Sequence, residues 1–461
     1  MEQLLHYVWK HKMLPLEPLA TSNGQQVEVV DPGLHNRNAG PDFFNAKVKI
    51  DGALWVGNVE IHDRASDWYA HGHDRDAAYD NVVLHVCGEI DTPVCNSQGR
   101  LLPQLRLEVP GHVAAHYAEL ITADKYPPCY RIIPSLSKLV VHSWMSALQT
   151  ERLERKTVDI DRRLRQVNGD WEAAYFATMA RAFGFSLNGD AFEQWALSMP
   201  LHAVDHHRDD LFQVEAFFLG QAGLLDPASV PERHREQALA DDYFLRLRSE
   251  YAFLKNKFSL TTMDPKRWKY LRLRPQNFPQ IRIAQLANLH YERRTGLRSL
   301  VECVDVKALR QLYTTQVTPY WATHYGFGRE SDRIDKRLTQ KTVDVLILNA
   351  AVPMLFAYGR SQGEERLCDR AFDILEQLEA EDNSIVRMWS ECGLEVSTAG
   401  DSQALIQLKK EYCDRHDCLR CRIGHQYLSL PLSAAERRGE YPADKEGKTF
   451  IINLNTTKDN G

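Results

Sequence analysis

Three residues near the start of the chain have the types and the spacing that metal-dependent chemistry needs. Asp42 follows Gly40 and Pro41 directly before an alternating apolar stretch, and Glu60 and His62 lie two positions apart in the next such stretch. Side chains two positions apart in a strand point to the same face. Acids and an imidazole on neighbouring strands can hold a divalent cation, so we predict a catalytic set of Asp42, Glu60 and His62. The alternative is structural, because Gly-Pro-Asp is common turn chemistry and Glu60 and His62 would also suit the solvent face of a strand.

The elements that must position these residues follow from the hydrophobic pattern of the N-terminal region. Residues 2 to about 13 form an amphipathic helix closed by Pro15, and Asp51-Gly52 has the preferred chemistry of a hairpin turn. The other predicted segments are strands at 27–30, 43–50, 53–62 and 81–86, with a loop and short helix between 66 and 80. The predicted order is therefore helix, three strands, helical segment, strand.

This order and motif resemble the restriction-endonuclease-like nuclease fold, the PD-(D/E)XK superfamily, over residues 1 to about 110. Pro41-Asp42 matches the first acid of its motif, and Glu60-Ile61-His62 matches the acid-x-Lys part except at the last position. The resemblance implies a Mg²⁺ or Mn²⁺ site made by Asp42, Glu60 and a backbone carbonyl near Ile61, with Glu2 as a weak third acid. It also implies that metal-bound water attacks a phosphodiester.

His62 stands where that superfamily usually has lysine. A neutral imidazole can orient or deprotonate water but carries no permanent charge near neutral pH, and it can itself ligate Mn²⁺ or Zn²⁺. The site is therefore either active with altered chemistry or a retired one. The function expected is a metal-dependent phosphodiesterase acting on DNA or RNA. The alternative is a non-catalytic factor that binds nucleic acid or protein on a nuclease-like fold.

A His-x-His pair, His71 and His73, follows the predicted strand that carries Glu60 and His62. Together these four residues could build a second metal site, a zinc-dependent hydrolase site or a phosphate contact. We assign His71 and His73 to substrate binding. The alternative is a polar loop in which the two histidines cap turns and form hydrogen bonds.

Four further residues are candidates for substrate binding. Asn36 and Asn38, which flank Arg37, precede Asp42 and suit polar or phosphate contacts, or they are ordinary loop residues. Arg274 and Arg282 belong to the basic stretch LRLRPQNFPQIR, which opens a helix and could contact phosphates. The alternative for this stretch is a tight turn between domains.

One cysteine cluster, Cys413-x4-Cys418-x2-Cys421, has the spacing of a metal site. The fourth ligand is open: it could be His416, His425 or a distant thiol. Zn²⁺ and an iron–sulfur cluster both suit such ligands, and the alternative is that the three cysteines are packing residues.

The bulk properties limit the function classes. A length of 461 residues indicates two or three domains, which we place at 1–125 for an α/β domain, 126–441 for a helical domain with room for two subdomains, and 442–461 for a polar tail. A net charge of -6 gives no electrostatic argument for nucleic acid over the whole chain, so binding must rest on a local basic face. Nine cysteines without a disulfide framework, no signal peptide and no apolar run of about 18 residues predict a cytoplasmic protein with no membrane partner.

Several common enzyme classes lack their motifs in this chain. It has no P-loop, no dinucleotide glycine fingerprint, no Gly-x-Ser-x-Gly elbow and no HExxH helix. Over nearly its full length the chain resembles a bacterial family, the domain-of-unknown-function 2851 proteins, in stretches such as AGPDFFNAKVKI, RLRPQNFPQIRIAQLANL and CLRCRIG. This resemblance supports the α/β-plus-helical architecture and implies no established activity.

Overall fold

The computed structural model describes residues 2–15, 17–36, 38–123 and 125–431, so Arg37 and the predicted polar tail 442–461 lie outside the description. The chain divides into two compact units, one formed by Met1–Leu136 with the described part of Lys410–Gly461, and one formed by Ser137–Lys409. The sequence placed the first boundary after residue 125 and kept 410–441 with the helical domain, whereas this division groups Lys410 onwards with the N-terminal residues. The mixed α+β class, with a sheet-rich N-terminal region and a helical region after it, is confirmed.

The first unit is built on a seven-stranded mixed sheet. Its strands are β1 (Leu19–Ala20), β2 (Gln26–Asp31), β3 (Leu34–His35), β4 (Phe43–Ile50), β5 (Ala53–Arg64), β6 (Val82–Glu89) and β7 (Gln104–Arg106). The strand order is β1-β2-β4-β5-β6-β7, with β3 also paired to β4. Neighbours from β1 to β5 are antiparallel, whereas β5, β6 and β7 run parallel.

The centre of the sheet follows from local chemistry. Asp51 and Gly52 both adopt left-handed backbone conformations, with φ of 51° and 78°, so they form the tight turn between β4 and β5 that the sequence predicted. Parallel strands cannot be joined by a tight turn, and β5 therefore reaches β6 through a crossover. That crossover contains the helix α2 (Asp67–Ala70) and two short 3₁₀ turns, His73–Arg75 and Ala77–Tyr79.

Helix α1 (Glu2–Lys10) and the C-terminal segment complete this unit. The buried face of α1 includes Leu5, Val8 and Trp9, and the Trp9 indole donates a hydrogen bond of 3.0 Å to the carbonyl of Pro32. The helix α3 (Gly111–Thr122) and the last described helix, Arg422–Leu428, also belong here. Tyr7 on α1 lies 2.6 Å from His425 of that last helix, so residues far apart in sequence are joined within one unit.

The second unit is almost entirely helical. Its helices are α4 (Lys138–Gln166), α5 (Trp171–Phe183), α6 (Phe185–Leu197), α7 (Leu201–Asp205), α8 (Leu211–Gln221), α9 (Glu232–Leu239), α10 (Asp242–Lys257), α11 (Pro279–Tyr291), α12 (Leu297–Glu302), α13 (Val306–Tyr313), α14 (Pro319–Thr323), α15 (Gln340–Leu346), α16 (Val352–Gln362), α17 (Glu365–Gln377), α18 (Ser384–Glu391) and α19 (Ala399–Leu408). Two short strands, β8 (His324–Gly326) and β9 (Arg329–Glu330), form a small hairpin. The 29-residue α4 stops just before Asn168 and Gly169, the two left-handed residues that the sequence predicted as its end.

The expectation that no apolar stretch reaches membrane length needs a correction. Helices α15 and α16 join through a π-helical turn into one apolar stretch, Gln340–Gln362, of 23 residues. By length and composition this stretch could cross a membrane, and it is the only such helix within the described residues. However, 72% of its most apolar window is buried inside the protein. A core helix passes the same test, so this helix alone does not indicate a membrane.

Candidate metal centre

The two predicted acids lie side by side through a reciprocal pair of hydrogen bonds. The backbone N–H of Asp42, just before β4, donates to Glu60 Oε2 on β5 at 3.0 Å. In return, the backbone N–H of Ile61 donates to Asp42 Oδ2 at 2.9 Å. Because each carboxylate is held by a peptide group next to the other residue, the structure brings together the two side chains that the sequence paired.

Three imidazoles converge beside Glu60. Glu60 Oε1 lies 3.3 Å from His73 Nε2 and 3.7 Å from His62 Nε2. His62 Nε2 in turn lies 3.1 Å from His71 Nδ1. One ring nitrogen from each of His62, His71 and His73 falls within 4.8 Å of the other two, a spacing that a single metal ion could bridge. The candidate donors are therefore these three nitrogens, and Glu60 Oε1 lies beside two of them.

The crossover after β5 explains how His71 and His73 reach the strand. The short helix α2 ends at Ala70, and Gly72 then adopts a left-handed φ of 77° that turns the chain back. His73 stacks on Tyr79 with ring centroids 3.8 Å apart, and the buried Trp68 packs edge-on against it at 5.3 Å. His73 is thus locked in a buried position, whereas His71 is exposed and leaves the centre open on one side.

A buried histidine on the neighbouring strand orients His62. His85 on β6 is fully buried, and its Nε2 lies 2.9 Å from His62 Nδ1. With Nδ1 held by His85, the Nε2 atom of His62 is the one that faces Glu60 and His71. Partners of this kind fix the ring orientation of metal-binding histidines. The sequence analysis missed His85, although its position in a strongly apolar strand was a usable signal.

Burial favours the neutral form of His62 and His85. It lowers the pKa of His62 to about 4, helped by the charges of His73 and His71, and it lowers the pKa of His85 to about 3, helped by His62. Burial also raises the pKa of Glu60, and the charge of Asp42 adds to this. A neutral imidazole has the free lone pair that a metal ion requires. A bound cation would in turn favour the ionised form of Glu60.

Helix α1 contributes two further groups that face Asp42. His6 Nε2 lies 3.4 Å from Asp42 Oδ2. Burial opposes the charge of both, but their hydrogen bond and mutual attraction prevail, so the pKa of Asp42 is lowered and that of His6 raised. Burial raises the pKa of Glu2, and Asp42 and Asp63 add to this, which places Glu2 within electrostatic reach of the site. The sequence analysis missed His6, although Glu2 and His6 are four positions apart and share a helix face.

The chemistry of the donors decides which metal fits. Mg²⁺ prefers an octahedron of hard oxygen ligands, whereas imidazole suits Mn²⁺, Fe²⁺ or Zn²⁺. The predicted pair of Asp42 and Glu60 offers oxygens alone, but Glu60 Oε1 faces imidazole nitrogens. The residues present therefore fit a transition metal held by His62, His71 and His73, with the Glu60 carboxylate close enough to His62 and His73 to serve as a further ligand and Asp42 next to Glu60.

A cavity of about 330 Å³ opens on the other side of His6. Lys10 gives its wall positive charge, whereas Arg420 is paired with Asp417 of the same lining at 2.8 Å. Its lining is Gln3, His6, Tyr7, Lys10, His35, Asn36, Asp417, Leu419 and Arg420, all from the first unit. Because His6 both lines the cavity and contacts Asp42, the cavity provides a place for a ligand next to the acids.

Asn36 organises the loop that leads to Asp42. Its Nδ2 donates to the backbone carbonyls of four consecutive residues at 3.0 to 3.4 Å: Asn38, Ala39, Gly40 and Pro41. Its Oδ1 accepts from the backbone N–H of Asn38 at 2.9 Å. These contacts occupy the amide of Asn36 within its own loop, whereas the side chain of Asn38 is exposed and can meet a ligand.

The other predicted substrate contacts lie in the second unit. Arg282 is buried, and its guanidinium donates to Gln285 at 2.9 Å and to Asn277 at 2.6 Å. Burial lowers the pKa of Arg282 to about 10, and its guanidinium also lies over the ring of Phe185. These contacts favour the structural alternative for Arg282, whereas Arg274 is exposed. The cysteines Cys413, Cys418 and Cys421 belong to the first unit.

Fold and site together define an α+β protein with a buried candidate metal centre of histidine and carboxylate on a mixed sheet. The chain belongs to the family described as "Protein of unknown function (DUF2851)", whose model matches residues 2–384. This match confirms the family resemblance seen in the sequence and gives no support to the nuclease superfamily resemblance. Searches of curated proteins and of solved structures returned no match.

Proposed function

We propose that the first unit is a metal-dependent hydrolase that cleaves phosphodiester bonds in DNA or RNA. The observation that carries this proposal is the convergence of ring nitrogens of His62, His71 and His73, with Glu60 Oε1 beside two of these rings, His62 and His73. Ring nitrogens of three imidazoles that lie within 4.8 Å of one another can present their lone pairs to one metal ion, and a carboxylate beside two of the rings would offset the charge of that ion.

The order of elements supports the nuclease-like arrangement as part of this proposal. Helix α1 precedes the antiparallel strands β2, β4 and β5, and a crossover then leads to the parallel strand β6. Asp42 lies at the start of β4, while Glu60 and His62 share a face of β5, as in the acid then acid-x-Lys pattern of restriction-endonuclease-like proteins. His62 occupies the position that holds lysine in that pattern, and we propose that it is a metal ligand.

His6 takes the role of the proton-carrying group. Its raised pKa follows from its contact with Asp42, and it lines the cavity. A histidine whose pKa is raised by a neighbouring carboxylate can hold a proton, give it to a leaving group and take one from an attacking water. When bound, the cation supplies a more acidic water and offsets charge on the phosphate. Asp42 orients His6, and Lys10 attracts the phosphate through charge.

Cleavage assays with matched variants test this function. We would incubate the full chain with Mn²⁺, Zn²⁺ or Mg²⁺ and labelled single-stranded DNA, duplex DNA or RNA. Wild-type protein should cleave with Mn²⁺ or Zn²⁺ better than with Mg²⁺, and Glu60→Gln and His73→Ala should lose at least tenfold. His142→Ala, an exposed histidine in α4, is the control and should retain full activity.

Two results would refute the proposal. Equal cleavage by all four proteins would identify a contaminating nuclease. Metal binding without cleavage of any of the three substrates would favour the alternative, a factor that binds nucleic acid or protein with its metal centre as a structural element.

A further inference from the structure

A second group of metal-preferring side chains lies in the first unit, apart from the histidine centre. The C-terminal cysteines surround a 3₁₀ turn, Cys418–Arg420, in which the backbone N–H of Cys421 donates to the Cys418 carbonyl at 3.2 Å. Cys413 and Cys421 are buried and Cys418 is half-buried. The nine cysteines, all within the described residues, form no disulfide. Three thiols on one short segment make an incomplete metal site, because tetrahedral thiolate sites need four ligands.

The fourth thiol comes from a segment 284 positions earlier. Cys129 is buried, at 7% exposure, and burial together with the charges of Cys421, Cys413 and Cys418 raises its pKa. Each of these three thiols is therefore close enough to Cys129 to affect the ionisation of its thiol. A hydrogen bond of 2.9 Å from the Tyr126 hydroxyl to Asp414 ties the two segments together. The sequence analysis offered His416, His425 or a distant thiol such as Cys392 as the fourth ligand.

Of the other candidates for the fourth ligand, one is engaged elsewhere, one belongs to the second unit and one is exposed. His425 Nδ1 lies 2.6 Å from the Tyr7 hydroxyl, and its ring stacks on His11 with centroids 4.3 Å apart. Cys392 belongs to the second unit. His416, in a left-handed conformation, is exposed. Cys129 is the buried thiol of the same unit that the fold brings to the group.

We propose that Cys129, Cys413, Cys418 and Cys421 hold a thiolate-bound metal centre, either an iron–sulfur cluster or a single Zn²⁺. Three of the four thiols are buried and Cys418 is half-buried, so ionising them side by side is costly. A bound metal reverses this by replacing the thiol protons with positive charge. The site would join the C-terminal segment to residues 126–135 and so stabilise the first unit.

The spacing of the sulfurs favours the cluster. Among the described residues, no three of these cysteines bring their sulfurs within 4.8 Å of one another, in contrast to the imidazole nitrogens of the histidine centre. A Zn–S bond of about 2.3 Å places the sulfurs of a zinc tetrahedron about 3.8 Å apart. A cluster of several iron atoms separates its cysteine sulfurs further. A single Zn²⁺ would require the four sulfurs to move closer together.

Metal and sulfide analysis of the full chain tests this site. We would purify the Glu60→Gln protein without oxygen, so that metal at the histidine centre does not contribute, and measure iron, acid-labile sulfide and zinc per chain. Iron and sulfide in equal amounts, with absorbance near 400 nm, would identify the cluster, and zinc without sulfide would identify the single ion. Either result supports the site, and less than a tenth of a metal centre per chain would overturn it.

Variants in the same background identify the ligands. Adding Cys129→Ser should lower the metal content at least tenfold, whereas Cys303→Ser, a buried thiol of the second unit, should leave it unchanged. His416→Ala and His425→Ala should also keep the metal. X-ray absorption on the protein with all its cysteines intact does not depend on whether a cysteine variant folds. It should show only sulfur ligands from the protein, and a nitrogen ligand would overturn the assignment of Cys129. The cysteine site and the histidine centre share no residues. A protein without nuclease activity can therefore still hold metal at the cysteines, and a protein without metal at the cysteines can still be a nuclease.

Discussion

The substitution Glu60→Gln tests whether Glu60 is a metal ligand or an acid with a structural role. Glutamine keeps the length of the side chain and an oxygen that can accept the hydrogen bond from the Asp42 N–H, which measures 3.0 Å in the structure. It removes the negative charge beside His73 and His62, at 3.3 and 3.7 Å from Oε1. If Glu60 is a metal ligand, Glu60→Gln should weaken metal binding and leave the unfolding free energy of the metal-free protein nearly unchanged.

The expected magnitudes follow from these contacts. Loss of a partner to a metal ligand typically costs 10–100-fold in affinity. Glu60 would be a ligand itself, so we expect Mn²⁺ or Zn²⁺ to bind Glu60→Gln at least about 100-fold more weakly, which corresponds to about 2.7 kcal/mol. Without metal, the unfolding free energy should stay within about 1 kcal/mol of wild type, because the hydrogen bond to Asp42 remains. Glu60→Ala, by contrast, leaves a buried N–H unpaired and should cost about 1–3 kcal/mol of unfolding free energy.

Calorimetric titration with metal and urea denaturation in the presence of a chelator measure these two quantities. Glu28→Gln is the matched control, since Glu28 lies in the same sheet but is exposed and pairs with Lys49 on the surface. It should change neither quantity. Wild-type metal affinity in Glu60→Gln, or equal destabilisation by Gln and Ala, would refute the assignment of Glu60 as a ligand.

Three further predictions address pH, the loop and the cavity. His62 and His85 have folded pKa values of about 4 and about 3, below the unfolded value of about 6.5. The unfolded state therefore binds more protons below pH 6.5, and the unfolding free energy should fall on acidification from pH 6.5 towards 4, by up to about 1.4 kcal/mol per pH unit for each histidine. Urea denaturation at pH 7.5, 6 and 5 checks this, His85→Gln should give a shallower slope, and a flat profile would contradict it. Asn36→Asp turns a carboxylate towards four carbonyls, so it should cost about 1–3 kcal/mol of unfolding free energy and weaken metal binding, while Asn38→Asp should do neither. Lys10→Gln should raise the KM for a cleaved oligonucleotide several-fold with kcat little changed, whereas Lys49→Gln should leave both constants unchanged, and an unchanged KM in Lys10→Gln would remove the cavity from the substrate site.

Local pattern alone predicted much of the framework of this site. The period of two placed Glu60 and His62 on one face of β5, and the chemistry of Asp51-Gly52 predicted the turn between β4 and β5. The family resemblance, the helical character of the second region and the end of α4 at Asn168 were likewise readable from the chain. All of these depend on residues that are close together in sequence, where backbone geometry sets which side chains share a face.

The complete donor sets depended on the tertiary structure. His6 reaches Asp42 and His73 reaches Glu60 only because a helix and a crossover pack their apolar faces against a common sheet. The same packing buried Arg282, a predicted phosphate contact, among Asn277 and Gln285. Periodicity carries no information about the distance between segments that are far apart in sequence. That distance is decided by how the whole chain excludes water from its core, so only the folded protein shows which residues meet.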